Sequence, residues 1–244
     1  MSTFKTLLGA LALTAIAGTA MADGHAVRMG TEGAYPPYNF INDKGEVDGF
    51  EIELGNELCK RAGLECTWVV NDWDSIIPNL VSGNYDVIIA GMSATDERDK
   101  VIDFTESYIP SGPSYYVALA GADESAATTI VTAQVNTVQA AHVAETGATL
   151  VEFATPDETI AAVKNGEADS VLADGDYLQP IVTESGGELV IVKEVVLGRG
   201  VAMGIRESDA ELREKLSVAV KSVKADGTLN AMLAKWFKEN PPQW

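Results

Sequence analysis

Cysteine and histidine are nearly absent from this 244-residue sequence, with two of each, and 17 Lys and Arg stand against 36 Asp and Glu. The shortage of basic residues, at a formal charge of −19, excludes a surface able to neutralise phosphates. Nucleic acid and anionic membranes are therefore poor partners. The shortage of thiols and imidazoles excludes a clustered zinc site or a Cys/His catalytic pair. His25 and His142 lie far apart, and each reads as a solvated or packed side chain. There is no Ser/His/Asp set, no phosphate-cradling glycine loop, no fixed-period repeat and no low-complexity tract, so no catalytic residue, metal or cofactor is expected.

The apolar stretch 7–17 falls short of the roughly 20 residues that a membrane span needs. It follows Lys5, the only charge among residues 1–22, and precedes Ala20-Met21-Ala22, which has the small-x-small form of a signal peptidase site. Residues 1–22 are expected to be a secretory signal cleaved near Ala22, rather than an anchor, and no Cys at that point indicates a lipid. The exported chain, one unit more acidic than the whole, is expected in the periplasm with a small molecule as its ligand. An oxidising compartment favours a disulfide between Cys59 and Cys66.

Beyond the signal, short apolar runs alternate with helical periodicity, the α/β pattern. Residues 27–31 read as a strand, and 51–62 as a helix with Ile52, Leu54, Leu58 and Cys59 towards the core. A second helix is expected at 75–82 and a buried strand of the parallel type at 85–92. Thr95 is expected to cap a short helix through Val101, and 114–120 to form a strand. The pattern then restarts, with strands at 129–133, 150–153, 170–173, 189–192 and 201–205. Helices are expected at 137–145, 156–165, 175–184, 209–225 and 229–238. The small and polar stretch 122–129 reads as a junction between two lobes.

Two α/β units suggest a cleft between them. Directly after the strand ending at Met92, Ser93 and Thr95 lead into a helix start, where free N–H groups favour an anion and Arg98 can grip a carboxylate bidentately. The bland alternative is that Thr95 only caps and Arg98 pairs with Asp96, Asp99 or solvent. Asp174, at the end of another strand, can hold an ammonium group or cap the following helix. Tyr35, Tyr38 and Trp73 offer aromatic surface in loops, for a ligand or for turn packing alone.

The stretches 30–38 (GTEGAYPPY), 49–54 (GFEIEL), 73–80 (WDSIIPNL) and 90–98 (AGMSATDER), with Asp226-Gly227-Thr228 near the end, carry a family likeness. In these motifs the chain resembles the polar amino-acid family of periplasmic solute-binding proteins of ABC transporters. The resemblance implies a type II two-lobed fold with two hinge crossovers: residues 26–111 and 193–244 in the first lobe, 112–192 in the second. It implies a monomer that closes on an amino acid and presents it to an inner-membrane permease. Arg98 and Ser93 would hold the α-carboxylate, with Gly91, Met92, Thr137, Val138 and Gln139 beside them, and Asp174 the α-ammonium. Tyr35 and Trp73 would cover the ligand side chain, Glu32 would meet a cationic one, and Cys59 with Cys66 resembles a disulfide of basic-amino-acid binders. Two departures stand in the second lobe: Asn136 replaces a glycine, which Asn can do in the left-handed conformation, and Val138 replaces a threonine hydroxyl. Readings of another class are a periplasmic dehydratase of the same fold, in which Glu32 or Asp174 would act as an acid, a sensor for a membrane receptor, and a binder of a non-standard amino acid or amine.

Overall fold

The computed structural model describes residues 26–239 and 241–244. The expectations for residues 1–22 and for His25 lie outside the described residues. The chain opens with β1 (Val27–Thr31), β2 (Ala34–Tyr35), β3 (Asn39–Ile41) and β4 (Val47–Asp48), followed by α1 (Phe50–Ala62), β5 (Cys66–Val70), α2 (Ile76–Val81), β6 (Val87–Ile88) and β7 (Asp103–Phe104). A second unit holds β8 (Pro113–Leu119), β9 (Ile130–Gln134), α3 (Val138–Thr146), β10 (Thr149–Phe153), α4 (Pro156–Lys164), β11 (Ser170–Asp174), α5 (Gly175–Glu184) and β12 (Leu189–Val196). The chain then returns to the first unit with β13 (Gly204–Ile205), α6 (Ala210–Ala225) and α7 (Thr228–Trp236).

Each unit has its own five-stranded sheet, ordered β5-β1-β6-β13-β7 in the first and β10-β9-β11-β8-β12 in the second. This is the two-lobed fold expected, and the two crossovers lie side by side. Tyr108 N–H donates to the Val201 carbonyl at 2.8 Å, Val201 N–H to that of Ile109 at 2.9 Å, and Ser111 Oγ to that of Gly198 at 3.2 Å.

Four expectations are corrected. The stretch 122–129 is no lobe junction: it lies between β8 and β9 of one sheet, folded as a short 3₁₀ turn that Asp123 caps through Ser125 N–H. Small polar residues mark a turn but not which sheet its flanks join. The expected strand 85–92 pairs only at Val87–Ile88, because the chain bends away at Gly91, and 201–205 pairs as a strand only at Gly204–Ile205. In the second sheet β12 runs on to Val196, past the expected boundary at 192, pairing with β8 to Pro113.

The first lobe is held by α1 against α6 and α7, where Leu54, Leu58, Leu216, Val220, Leu229 and Leu233 have no exposed surface. Leu54 and Leu58 stand four apart on one helix face, and each such side chain contributes about 1.5–3 kcal/mol by leaving water. Gly49 starts α1 at φ 125°, where a Cβ would lie 2.5 Å from the Tyr38 carbonyl oxygen. In the second lobe α4 begins with a reciprocal cap, in which Thr155 accepts from Glu158 N–H and Glu158 from Thr155 N–H, and Pro156 follows at the first helical position.

Cys59 and Cys66 form a disulfide that ties the last turn of α1 to the start of β5. It closes a short loop, so breaking it with Cys59→Ala/Cys66→Ala is expected to cost about 2–3 kcal/mol of stability. Denaturant unfolding of the two proteins side by side measures that difference.

Candidate ligand-binding cleft

The carboxyl ends of four strands meet between the lobes: β1 and β6, parallel neighbours in the first sheet, face β9 and β11, parallel neighbours in the second. Loops leaving such ends carry the polar groups that line clefts in α/β folds. Here they enclose a cavity between the lobes. Glu32 enters from the loop after β1, Tyr35 from the end of β2, Gly91 and Ser93 from the loop after β6, and Trp73 and Arg98 from nearby turns. Gln134, Thr137, Val138, Gln139 and Asp174 line the opposite wall.

Met92 is the exception among the expected site residues. Gly91 takes φ 63°, a conformation open to residues without a Cβ, and this bend turns residues 91 and 93 to the cavity. Met92 is sent the other way, fully buried beside Trp73, Ile76 and Leu80.

Among the described residues Arg98 has no carboxylate partner. Asp96 and Asp99 both pair with Arg199 instead. The Arg98 guanidinium donates from Nη1 to the Ser93 carbonyl at 2.7 Å and from Nη2 to the Asn136 carbonyl across the cleft at 2.9 Å, with Cζ 5.4 Å from the Trp73 ring centre. Burial lowers its pKa to about 10, so it remains charged at neutral pH. Thr95 caps the following turn, accepting from Arg98 N–H at 3.1 Å.

Asp174 precedes α5 yet makes no side-chain cap to it. Its carboxylate accepts from Tyr35 Oη at 3.0 Å and from Gln139 Nε2 at 2.9 Å, two neutral donors. Burial raises its pKa, against those bonds and the field of Arg98. Asn136 stands at φ 58°, the left-handed conformation its position asks for, and Thr137 caps α3 through Ala140 N–H. Val138 is the first residue of that helix, where N–H groups lack intrahelical acceptors. Tyr35 and Tyr38 are buried rather than loop surface: Tyr35 stacks on Tyr177 at 4.1 Å, and Tyr38 Oη donates to Asp176 of the other lobe at 3.2 Å. Burial, reinforced by the charge on Asp174, pushes Asp176 up to about 6.

Glu32 is buried, and Gln134 Nε2 donates to its Oε1 at 2.6 Å from the facing wall. Burial raises Glu32 to about 7, against that bond. Gln134 escapes the sequence reading, although it ends β9 as Asp174 ends β11. Glu51 escapes it too, hidden in the amphipathic pattern of α1. Its fully buried carboxylate accepts from Gly91 N–H at 2.7 Å, from Asn39 Nδ2 at 2.7 Å and from Tyr108 Oη, and Asn39 Oδ1 in turn accepts from Gly33 N–H at 2.7 Å. One carboxylate thus positions both first-lobe loops of the cavity and the residue before the first crossover.

The family model for bacterial extracellular solute-binding proteins, family 3, matches residues 27–239. The chain belongs to that family. This solute-binding protein is 30% identical to an L-arginine-binding protein of Pseudomonas aeruginosa, over 95% of each chain. It is 32% identical to the lysine/arginine/ornithine-binding periplasmic protein of Escherichia coli, over 88% of each. Among solved structures it resembles a periplasmic His/Glu/Gln/Arg/opine family-binding protein from Silicibacter pomeroyi in complex with lysine, with 70% identity and a TM-score of 0.87 over 90% of this chain and all of that one. Among the described residues no helix of the solute-binding protein is long and apolar enough to cross a membrane, and no group of three His, Cys, Asp or Glu is placed to hold a metal.

Replacing Glu51 by Leu leaves the Gly91, Asn39 and Tyr108 donors without their acceptor in a dry core. The variant is expected to lose at least about 3 kcal/mol of stability, read from chemical or thermal unfolding without ligand.

Proposed function

We propose that the protein is an extracytoplasmic receptor that captures an α-amino acid with a basic side chain by lobe closure and delivers it to an inner-membrane ABC permease. In this reading it works as a monomer in the periplasm after its signal is cleaved near Ala22, and it binds rather than catalyses. The observation that carries the reading is the pair formed by Arg98 and Asp174: opposite charges on opposite walls of one buried cavity, each held by neutral groups and neither neutralised by the other. A zwitterion is costly to take from water unless each end meets a fixed partner of opposite sign. An α-carboxylate at Arg98 and the first turn of α3, with an α-ammonium at Asp174, meets that requirement.

Glu32 supports the choice of a basic side chain. It is a third charge site on the same cavity, met among the described residues only by an amide, and Trp73 and Tyr35 give aromatic walls for an alkyl stem. The reported relatives named for arginine, lysine and ornithine, and the neighbour holding lysine, agree with it. Closure then follows as a population shift, because only the closed arrangement offers both walls to the ligand.

Arg98→Ala is expected to weaken amino-acid binding by about 2–5 kcal/mol while the unfolding midpoint of the ligand-free protein stays near that of the parent. Near-normal affinity by titration calorimetry would refute the assignment. A pH series tests Glu32. A cationic side chain requires the ionised carboxylate, so affinity should hold above pH 7 and fall below it, approaching about tenfold per unit. Calorimetry near pH 7 in buffers of different ionisation enthalpy should register proton release on binding, and a pH-flat affinity would remove Glu32 from the site.

A further inference from the structure

Among the described residues Asn136 is the one residue other than glycine with a positive φ, at 58°. It stands in the turn between β9 and α3, which Thr137 closes by donating from Oγ1 to the Gln134 carbonyl at 2.7 Å. The Asn136 side chain is exposed and takes part in no hydrogen bond among the described residues, and the residue does not itself line the cavity. What it supplies is backbone. Its carbonyl accepts from Arg98 Nη2 at 2.9 Å across the cleft, while Arg98 Nη1 donates to the Ser93 carbonyl at 2.7 Å within the first lobe.

A planar guanidinium held at one nitrogen can still turn about that bond. The second carbonyl removes this freedom, and three of the five N–H donors are left for a guest. Because the second bond comes from the facing lobe, it also ties the Arg98 fork to the wall that carries α3 and Asp174.

The place of that carbonyl depends on the dihedrals of residue 136, which orient the peptide whose oxygen is used. Moving φ from 58° to the nearest right-handed or extended well turns that peptide by more than about 100° and takes the oxygen away from Arg98. Glycine and asparagine occupy the left-handed well readily, whereas a β-branched residue is driven out of it.

We infer that Asn136 is a positioning residue for carboxylate recognition, whose left-handed backbone holds the Arg98 fork from across the cleft in the orientation that receives the α-carboxylate of the ligand. The inference rests on the reading above, in which Arg98 takes that carboxylate, and deepens it. The residue type at position 136 acts through its conformation and not through its amide.

Titration calorimetry with lysine and with arginine, on the parent protein, Asn136→Gly and Asn136→Val, is the test. Asn136→Gly keeps the conformation and should bind both amino acids much as the parent does. Asn136→Val should weaken both by about tenfold or more, the worth of a hydrogen bond to a charged group, and by similar factors, since the two ligands share the carboxylate. In an Arg98→Ala background Asn136→Val should cost little further, because the group it positions is gone. Parent-like affinity in a cooperatively folded Asn136→Val, an equal loss in Asn136→Gly, a loss for one ligand alone, or the same loss with and without the Arg98 side chain would each overturn the inference and leave the assignment of Arg98 standing. Binding of neither amino acid by the parent would overturn both. Should Asn136→Val not fold, Asn136→Ala, which has no branch but still disfavours a positive φ, takes its place, and where Arg98→Ala binds too weakly to titrate the other comparisons decide.

Discussion

Keeping a guanidinium and a carboxylate out of water, close enough to face one cavity but not allowed to meet, is the constraint around which both lobes are built. Left to themselves, Arg98 and Asp174 would lower their energy by pairing, and a site made from them would close on itself. The structure prevents this by giving each group neutral partners with little freedom. Arg98 is held by the carbonyls of Ser93 and Asn136 and lies against Trp73, while Asp174 is held by Tyr35 and Gln139. Dipoles of this kind orient a charge and partly solvate it without cancelling it, so its field remains available to a guest.

That arrangement asks for rigidity in the loops, and the rigidity comes from behind the cavity. Gly91 bends the chain that carries Ser93, and Glu51 fixes that bend by accepting from Gly91 N–H. The same carboxylate reaches, through Asn39, the N–H of Gly33 beside Glu32, and it holds Tyr108 next to the paired crossovers. A buried acid is an expensive element, and burial raises its pKa despite three donors. The benefit is that loops from three parts of the sequence share one anchor, so the charged groups of the first lobe move as a unit when the hinge turns.

Much of this was legible beforehand, and the places where it was not have physical reasons. Short apolar runs and period-3.6 patterns located most strands and helices of both lobes, because the central strands are buried on both faces and the helices on one. The ends of β6 and β11 pointed to Ser93, Arg98 and Asp174 through chemistry alone. Whether Arg98 was free could not be read locally, since the answer lies in Arg199, which draws off Asp96 and Asp99 from a distant part of the chain. Met92 was drawn into the site by adjacency, and only the φ of Gly91 shows that neighbours face opposite ways. Gln134 and Glu51 were passed over for a shared reason: an amide at a strand end and an acid on a helix look ordinary until their partners, 102 and 40 residues away, are known. The stretch 122–129 misled because turn composition reports flexibility of the backbone and is silent on which sheet receives it.

The bonds that cross the cleft also bear on how sharply closure can depend on a ligand. Tyr35 to Asp174, Tyr38 to Asp176, Gln134 to Glu32 and Arg98 to the Asn136 carbonyl all join the lobes directly. Each replaces hydrogen bonds to water that the open form would make, so the net stabilisation is modest, about 0.5–1.5 kcal/mol for neutral pairs and up to about 3 kcal/mol where a charge takes part. A ligand can shift the balance only by binding the closed form better than the open one. Groups already satisfied by water when open, and by each other when closed, contribute little to that difference. Under the proposed assignment Arg98 and Asp174 contribute most, because in the closed form their charges lose water and gain dipoles and each other's field but no direct ion pair. Under that assignment, the free energy that a zwitterion returns to these two groups is therefore the part of closure that would discriminate a filled cleft from an open one, and the neutral bonds around it would set the register in which the lobes meet.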